Sequence, residues 1–397
     1  MMISGERFLS DLETLGTIGW VEGHGMDRAA YSKNYEEART FVQKKMEEAG
    51  LSTSMDEVGN LFGRMEGTEG GAPAIMAGSH LDAVPGGGKY DGPLGVMAAL
   101  EAARAIRERG IALRHPFEVV GFIAEEGGPL GGTFGSRALT GLVKDPIPEE
   151  VLNQFGLTVE GIQAARRDPA SLCCYLELHI EQGPYLDRRG IPIGIPTGIV
   201  GISRYAVTVE GETNHAGSTP MKERKDAMRH ATDLLNKWFA WVDTRDDFVC
   251  NVGVFSLHPG SVAIVPGAAE FILEIRSLKD AVMEEAFQRF KALCDCEAGL
   301  PVTVRRTVWK GGTDLAPGLQ DAAERACGAA GIPCVRMPSG ASHDANSMAH
   351  VTPSGMIFVP SIRGVSHSKE EATSPEDLAR GAEVLARTII EADKIFS

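Results

Sequence analysis

The chain has fewer basic than acidic residues. The sequence of 397 residues contains 39 Lys and Arg against 54 Asp and Glu, so the formal net charge is 39 − 54 = −15. No segment rich in Lys and Arg stands out that could neutralise a phosphate backbone. We therefore expect no nucleic acid among the partners.

Long apolar runs and paired cysteines are also lacking. No run approaches the roughly 18 apolar residues of a membrane helix, and the N-terminus has no basic segment followed by an apolar one, so we expect a cytoplasmic protein without membrane contact. The seven cysteines are odd in number and scattered, without a pair of CxxC motifs. This spacing disfavours both a disulfide framework and a structural zinc site.

The length favours two domains, and 43% apolar with 23% charged residues is typical of globular proteins. Several short apolar runs predict strands of an α/β fold, and each is followed by residues that can bind metals or protons. The candidate groups near these predicted strand ends are His80, Asp91, Glu125, Glu126, His179 and His367. Loops at the carboxyl ends of strands are where α/β folds hold their active sites.

The pattern of apolar and polar residues changes in the middle of the chain. An alternating run predicts a strand at 204–210, and further strands are expected at 248–255, 269–275 and 302–308. Helices are predicted to begin at Thr219–Pro220 and to span 280–298. This order predicts an α+β sandwich with an antiparallel sheet that is open on one face. We place this inserted domain at 204–310, between segments 1–203 and 311–397 of the main α/β domain.

The six candidate groups are imidazoles and carboxylates, without a thiolate. This donor set favours Zn, Mn, Co or Ni over Mg or Ca, and it exceeds the roughly three protein ligands of a single catalytic zinc. Side chains of the adjacent Glu125 and Glu126 diverge at a strand end, so one can bind an ion while the other acts on water. We therefore expect a two-metal hydrolytic site.

Other catalytic motifs fit less well. The segment 84–90, VPGGGKY, fails the phosphate-loop pattern, and no GxSxG elbow for a serine nucleophile occurs. The run 339–344, SGASHD, contains the residue types of a triad, but such close sequence neighbours rarely adopt triad geometry.

Six motifs together carry a family resemblance: GSHLDAVPGGGKYDG, AEEG, LELHIEQGP, GETNHAGSTPM, MPSGASHDA and GVSHS. In order and spacing they are similar to the hydantoinase/carbamoylase branch of the aminoacylase and carboxypeptidase-like metallohydrolases. The resemblance implies an α/β/α catalytic domain with two divalent ions and an inserted α+β domain that acts as lid and dimerisation domain. It also implies a homodimer that cleaves the C–N bond of N-carbamoyl or related N-acyl amino acids.

The resemblance also implies a role for each site residue. His80 and His179 would hold one ion, Glu126 and His367 the other, and Asp91 would bridge them. Glu125 would be the general base for a water between the ions. The residues implied to contact the substrate are Gln182, His215, Arg276 and Gly340, and His215 would also take part in catalysis by stabilising the oxyanion.

One position departs from the family pattern. Where relatives have Asn in an N-x-x-P segment that faces the substrate, this chain has Ala263, which cannot form that side-chain hydrogen bond. An N-acyl amino acid deacylase or a peptidase on the same fold is therefore an alternative. A non-catalytic binding relative is a second alternative, and retention of all six candidate groups argues against it.

Overall fold

The protein forms two compact units in a computed structural model that describes residues 2–295 and 299–396. The first unit combines Met1–Ile199 with Asp314–Ser397, and the second is Val200–Thr313. The inserted domain predicted at 204–310 falls within the second unit. The catalytic and lid functions assigned to the two parts stay predictions.

Twelve α-helices occur in the described residues. They are α1 Gly5–Thr17, α2 Lys33–Glu48, α3 Pro93–Glu108, α4 Phe134–Thr140, α5 Glu149–Phe155, α6 Val159–Ala164, α7 Tyr185–Arg189, α8 Ala227–Val242, α9 Asp280–Cys294, α10 Pro317–Ala330, α11 Asp344–Met348 and α12 Pro375–Ile395. None of them combines the length and the apolar character that crossing a membrane requires.

The described residues also contain seventeen strands. They are β1 Trp20–Val21, β2 Gly25–Met26, β3 Ser52–Met55, β4 Leu61–Met65, β5 Ala74–His80, β6 Phe117–Phe122, β7 Leu172–Ile180, β8 Ile193–Ile199, β9 Gly201–Glu210, β10 Asn214–His215, β11 Val249–His258, β12 Ile264–Val265, β13 Ala268–Ser277, β14 Val302–Lys310, β15 Thr313–Asp314, β16 Cys334–Ser339 and β17 Ser354–Val359.

The first unit is built on a mixed sheet with the strand order β15-β8-β17-β7-β5-β6-β4-β3, and β16 pairs with β8. The central strands β17, β7, β5 and β6 run parallel. Neighbouring side chains of one strand enter different apolar clusters: Ile75 and Ala77 join one, and Met76 joins the other. Because both faces of the sheet are covered, this unit has the predicted α/β/α layers.

The second unit is an antiparallel sheet of order β11-β13-β9-β14, with α8 and α9 packed on one face. Its strand β9 alternates between buried and more exposed side chains, as a sheet with one covered face requires. On the other side of β11, Val249 and Val254 are exposed. The α+β architecture with one open face agrees with the prediction.

Two predicted helix bounds need comment. The helix predicted to begin at Thr219–Pro220 begins instead at Ala227, because Asp226 is the residue that accepts hydrogen bonds from Met228 N and Arg229 N as N-cap. Helix α9 ends at Cys294, and the predicted continuation to 298 falls partly on 296–298, outside the described residues. The final helix begins as predicted, with Ser374 accepting from Asp377 N at 3.0 Å.

Candidate metal centre

Five of the six candidate groups follow parallel strands to the same edge of the sheet. His80 is the last residue of β5, and His179 is the penultimate residue of the adjacent strand β7. Glu125 and Glu126 follow β6, and His367 lies in the loop after β17. Because these strands are parallel, their carboxyl ends bring residues far apart in sequence to one place.

Asp91 reaches the same edge from the loop before α3. Gly92 follows it with φ 84°, and a Cβ at that position would lie 2.4 Å from the His80 ring. Glycine therefore supplies both the left-handed backbone and the space that let α3 begin against His80. The resulting distance between His80 Nε2 and Asp91 Oδ1 is 3.5 Å.

The two carboxylate oxygens of Asp91 face two separate groups. Oδ1 lies 3.2 Å from His179 Nε2, on the side of His80, while Oδ2 lies 3.3 Å from His367 Nε2. His367 Nε2 is also 3.3 Å from Glu126 Oε2. The structure thus forms a group of His80, Asp91 and His179 and a group of Asp91, Glu126 and His367, each with donor atoms within 4.8 Å.

These donor sets fit divalent ions. Donors bound at about 2.1 Å around a tetrahedral ion lie about 3.4 Å from each other, close to the spacing within both groups. Moreover, His179 Nε2 and Glu126 Oε1 are buried and have no hydrogen-bond partner among the described residues. Buried polar atoms without a partner are costly, and a bound cation would satisfy both.

Backbone carbonyls orient the two buried imidazoles. His80 Nδ1 lies 3.0 Å from Asp82 O, and His179 Nδ1 lies 2.9 Å from Ile180 O. A carbonyl only accepts, so each Nδ1 carries the hydrogen and each Nε2 keeps its lone pair for a metal.

The paired glutamates diverge in the structure. Ala124 before them has φ 56°, a strained value for a residue with a side chain. Glu126 faces His367, whereas Glu125 Oε2 lies 3.9 Å from His80 Nε2. Burial raises the pKa of Glu125 well above its usual range and, together with the charge of Asp91, raises that of Glu126 to about 7. A buried carboxyl with a raised pKa is suited to accept and return a proton.

Sequence analysis missed several buried acids around this centre. Asp82 accepts hydrogen bonds from Glu125 N and Glu126 N at 3.2 and 3.1 Å. Glu371 accepts from Asp91 N at 3.2 Å and so holds the Asp91 loop, and its other oxygen lies 3.2 Å from Ser366 Oγ. An acidic residue inside an otherwise apolar segment was the available signal for Asp82, but none pointed to Glu371.

Glu177 is a third missed acid, located in the apolar strand β7. It accepts hydrogen bonds from Ser79 Oγ at 2.7 Å and from Ala345 N at 2.8 Å, which links β5 to the start of α11. Glu177, His179 and His343 also offer donor atoms within 4.8 Å of one another, but this group shares His179 with the first one. The ring of His343 lies edge-on to that of His179 at 4.4 Å.

The residues of the unfavoured local triad are used differently. His343 Nε2 lies 3.0 Å from Ser339 Oγ, and both carboxylate oxygens of the buried Asp344 have no hydrogen-bond partner among the described residues. The pKa of Asp344 is raised to about 8 by burial and by Glu177. The imidazole of His343 thus contacts Ser339, four residues before it in the chain.

Two residues expected to contact substrate lie in the first unit. Gln182 has φ 57°, and its Nε2 donates to Asp91 Oδ2 at 2.8 Å and lies 3.3 Å from His367 Nε2. Gly340 directly follows β16 and is exposed, and a Cβ there would have no atom within 4 Å. Gln182 is thus in contact with the metal-binding groups, and Gly340 leaves open space beside its backbone.

The other two lie in the second unit. His215 is exposed on β10, and its Nδ1 accepts hydrogen bonds from Gly217 N at 3.0 Å and Ser218 N at 3.2 Å. Its Nε2 therefore carries the hydrogen and is a donor. Arg276 is half-buried on β13 and pairs through Nε with Glu274 at 2.8 Å. The carbonyl of Ala263 accepts from Ala216 N at 2.9 Å, which places Ala263 beside the His215 strand.

Comparison with known proteins identifies the family of this chain. Residues 76–391 match the sequence profile of peptidase family M20/M25/M40. The chain is 38% identical to the N-carbamoyl-L-amino acid amidohydrolase of Geobacillus stearothermophilus over 98% of both chains, and 34% identical to the allantoate amidohydrolase of Bacillus subtilis over 94% of both. A solved amidase of the hydantoinase/carbamoylase family from Burkholderia phymatum superposes with a TM-score of 0.88 at 32% identity, over 100% of this chain and 99% of that one.

Proposed function

Because the chain belongs to peptidase family M20/M25/M40, and within it to the hydantoinase/carbamoylase amidases, we propose that it hydrolyses N-carbamoyl amino acids. The chain is a metal-dependent amidohydrolase that cleaves a C–N bond other than a peptide bond. The observation that carries this proposal is the position of Asp91, whose two oxygens face two donor groups.

His80 and His179 would hold one ion, Glu126 and His367 the other, with Asp91 between them. Such a pair lowers the pKa of water and polarises a substrate carbonyl. The N and O donors, without a thiolate, are compatible with Zn, Mn, Co or Ni.

The remaining steps belong to protein side chains. Glu125 is the buried carboxyl beside the first donor group that is not needed as a ligand. It takes the proton from the attacking water and passes it to the leaving nitrogen. His215 offers an Nε2–H to the developing oxyanion, because its Nδ1 is occupied by two backbone amides. For a carbamoyl substrate the products are the free amine, ammonia and carbon dioxide.

Arg276 and Gln182 are proposed to contact the substrate as well. A guanidinium binds a carboxylate through two parallel hydrogen bonds, so Arg276 is suited to the carboxylate of an amino acid. Glu274 already pairs with Arg276 and with Arg204 Nε at 2.6 Å. It therefore holds Arg276 along β13.

We also propose that the protein works as a cytoplasmic homodimer. Val249 and Val254 on the exposed side of β11 are 65% and 57% exposed, which supports a partner surface on the second unit. All six cysteines in the described residues are free, as a reducing compartment would keep them. Light scattering of the purified protein tests the dimer.

A substrate panel tests the activity. Protein reconstituted with Mn²⁺ or Zn²⁺ is offered N-carbamoyl, N-formyl and N-acetyl L-amino acids and allantoate, and both ammonia and free amine are measured. Carbamoyl hydrolysis yields both products in equal amounts. Turnover of N-acyl amino acids alone would favour the deacylase alternative, which the methyl side chain of Ala263 supports. Glu125→Gln is the control: it should retain its metal and lose about 10²–10⁴-fold in kcat.

A further inference from the structure

Arg28, which lies outside the segment matched by the family profile, is the least accessible arginine of the described chain. Its side chain is fully buried, and Nη1 donates to Leu15 O at 2.9 Å and to Ile18 O at 3.2 Å, near the end of α1. Nε and Nη2, which carry three of the five guanidinium hydrogens, have no hydrogen-bond partner among the described residues. The contact with the end of α1 thus engages only the Nη1 group of this guanidinium.

The backbone of Arg28 is hydrogen-bonded to the metal loop, residues 81–92, which joins β5 to α3 and contains Asp91. Ala83 N donates to Arg28 O at 3.0 Å, directly after Asp82 in the chain. The charge of Asp82 also acts on the guanidinium: burial lowers the pKa of Arg28 to about 10, and Asp82 opposes that shift. The backbone contact with Ala83 brings Arg28 near Asp82, and the charge of Asp82 favours the protonated guanidinium.

Asp82 in turn holds both the Glu125–Glu126 pair and the ring of His80. Its carboxylate accepts from Glu125 N and Glu126 N, and its carbonyl faces His80 Nδ1. It is itself only 2% exposed. A buried carboxylate that must stay in one place needs an opposing charge, above all where other carboxyls crowd around it.

The surroundings of Asp82 are acidic. The charges of Asp344, Glu126 and Asp82 all raise the pKa of Glu125. Among the described residues only one other arginine is classed as buried, Arg104, and it is paired with Asp11 at 2.7 Å. A guanidinium keeps its positive charge at such a buried position.

We propose that Arg28 is a positioning residue that acts through Asp82 to hold the backbone of Glu125 and Glu126 and the ring of His80 in their metal-binding geometry. The inference rests on the metal site of the proposed function. It assigns a role to the segment before β3. This segment is hydrogen-bonded to the metal loop and places the cation of Arg28 near the acidic residues around Glu125.

The experiment compares Arg28→Gln with Arg28→Lys. Glutamine can still donate to the end of α1 but has no charge, whereas lysine keeps the charge. Metal affinity is measured by competition with a chelator, and hydrogen exchange of segment 124–127 is measured in the metal-free protein. We expect Arg28→Gln to lower metal affinity about 10–100-fold and to speed exchange in that segment, with substantial recovery in Arg28→Lys. Equal losses of metal affinity in both variants would overturn the role of the positive charge, because only the shape of the side chain would then matter.

A double-mutant cycle with Asp82→Asn tests the route. If Arg28 acts through Asp82, the double variant should bind metal no more than about threefold more weakly than Asp82→Asn alone. Arg104→Gln is the matched control, since Arg104 is a buried arginine bound to α1 through Asp11; it should lower the melting temperature and leave metal affinity unchanged. Additive losses, or wild-type affinity in Arg28→Gln, would overturn the inference. A wild-type protein that binds no divalent ion would instead contradict the proposed function.

Discussion

The side-chain amide of Gln182 donates a hydrogen bond to Asp91 Oδ2 at 2.8 Å. The resemblance implied a substrate contact for Gln182, and the structure places its amide on the carboxylate that the two donor groups share. Ser366 Oγ donates to the same oxygen at 3.0 Å. Groups that orient a metal ligand influence the site even without touching the ion.

The first prediction concerns Gln182. Replacing it by Leu removes the donor to Asp91 while keeping a side chain of similar size. We expect metal affinity to fall about 10–100-fold, because Asp91 loses one of its orienting hydrogen bonds. Chelator competition measures the affinity, and steady-state kinetics at saturating metal measures KM. A higher KM with unchanged metal affinity would assign Gln182 to the substrate alone.

Asp91 should be required for both ions. In Asp91→Ala the metal content after gel filtration should fall from about two ions per chain towards none, because each donor group loses a shared carboxylate oxygen. His179→Ala and Glu126→Ala remove a ligand from one group each and should retain about one ion. Elemental analysis measures the content. Full retention of one ion in Asp91→Ala would show that Asp91 serves a single group.

His215 should affect the reaction and leave the metals in place. His215→Ala removes an exposed N–H donor from the second unit, and we expect kcat/KM to fall about 10²–10³-fold with unchanged metal content. His230→Ala is the control, since it removes another histidine of that unit from α8, and it should retain wild-type activity. If His215→Ala were as active as His230→Ala, the oxyanion role would be wrong.

Metal affinity should rise with pH. In the metal-free protein the hydrogen bond with Asp91 raises the pKa of His367 to about 9, while burial and Asp91 raise that of Glu126 to about 7. Both groups must lose a proton to bind an ion. Between pH 9 and pH 7 the affinity of the second group should therefore fall at least about tenfold per pH unit, and more steeply below pH 7.

Calorimetry in two buffers of different ionisation enthalpy counts the protons released on metal binding. At pH 6 wild type should release about one proton more than at pH 8, because Glu126 is then protonated as well. His367→Ala should release fewer protons than wild type at both values. If proton release did not change between pH 6 and pH 8, protons and metal ions would not be competing for Glu126.

Much of the fold and of the candidate site could be predicted from sequence alone. Apolar runs predicted β5, β6, β7 and β17, and the chemistry of His80, Asp91, Glu126, His179 and His367 indicated metal binding. These signals are local: a buried parallel strand requires a continuous apolar run, and metal binding requires particular side chains near its end. Six motifs together carried the family resemblance, and the comparisons confirm the family and the α/β fold.

Only the tertiary structure decided which groups meet and what supports them. Glu371 holds the backbone of Asp91 from 280 residues away, and Ala83, next to Asp82, is hydrogen-bonded to Arg28 from a loop that is distant in sequence. Spacing along the chain does not encode such contacts, because they depend on how strands align in the sheet and on how closely the loops approach. The sequence by itself determined the donors and the strands that carry them. Folding determined their grouping around Asp91 and the buried charges that keep them there.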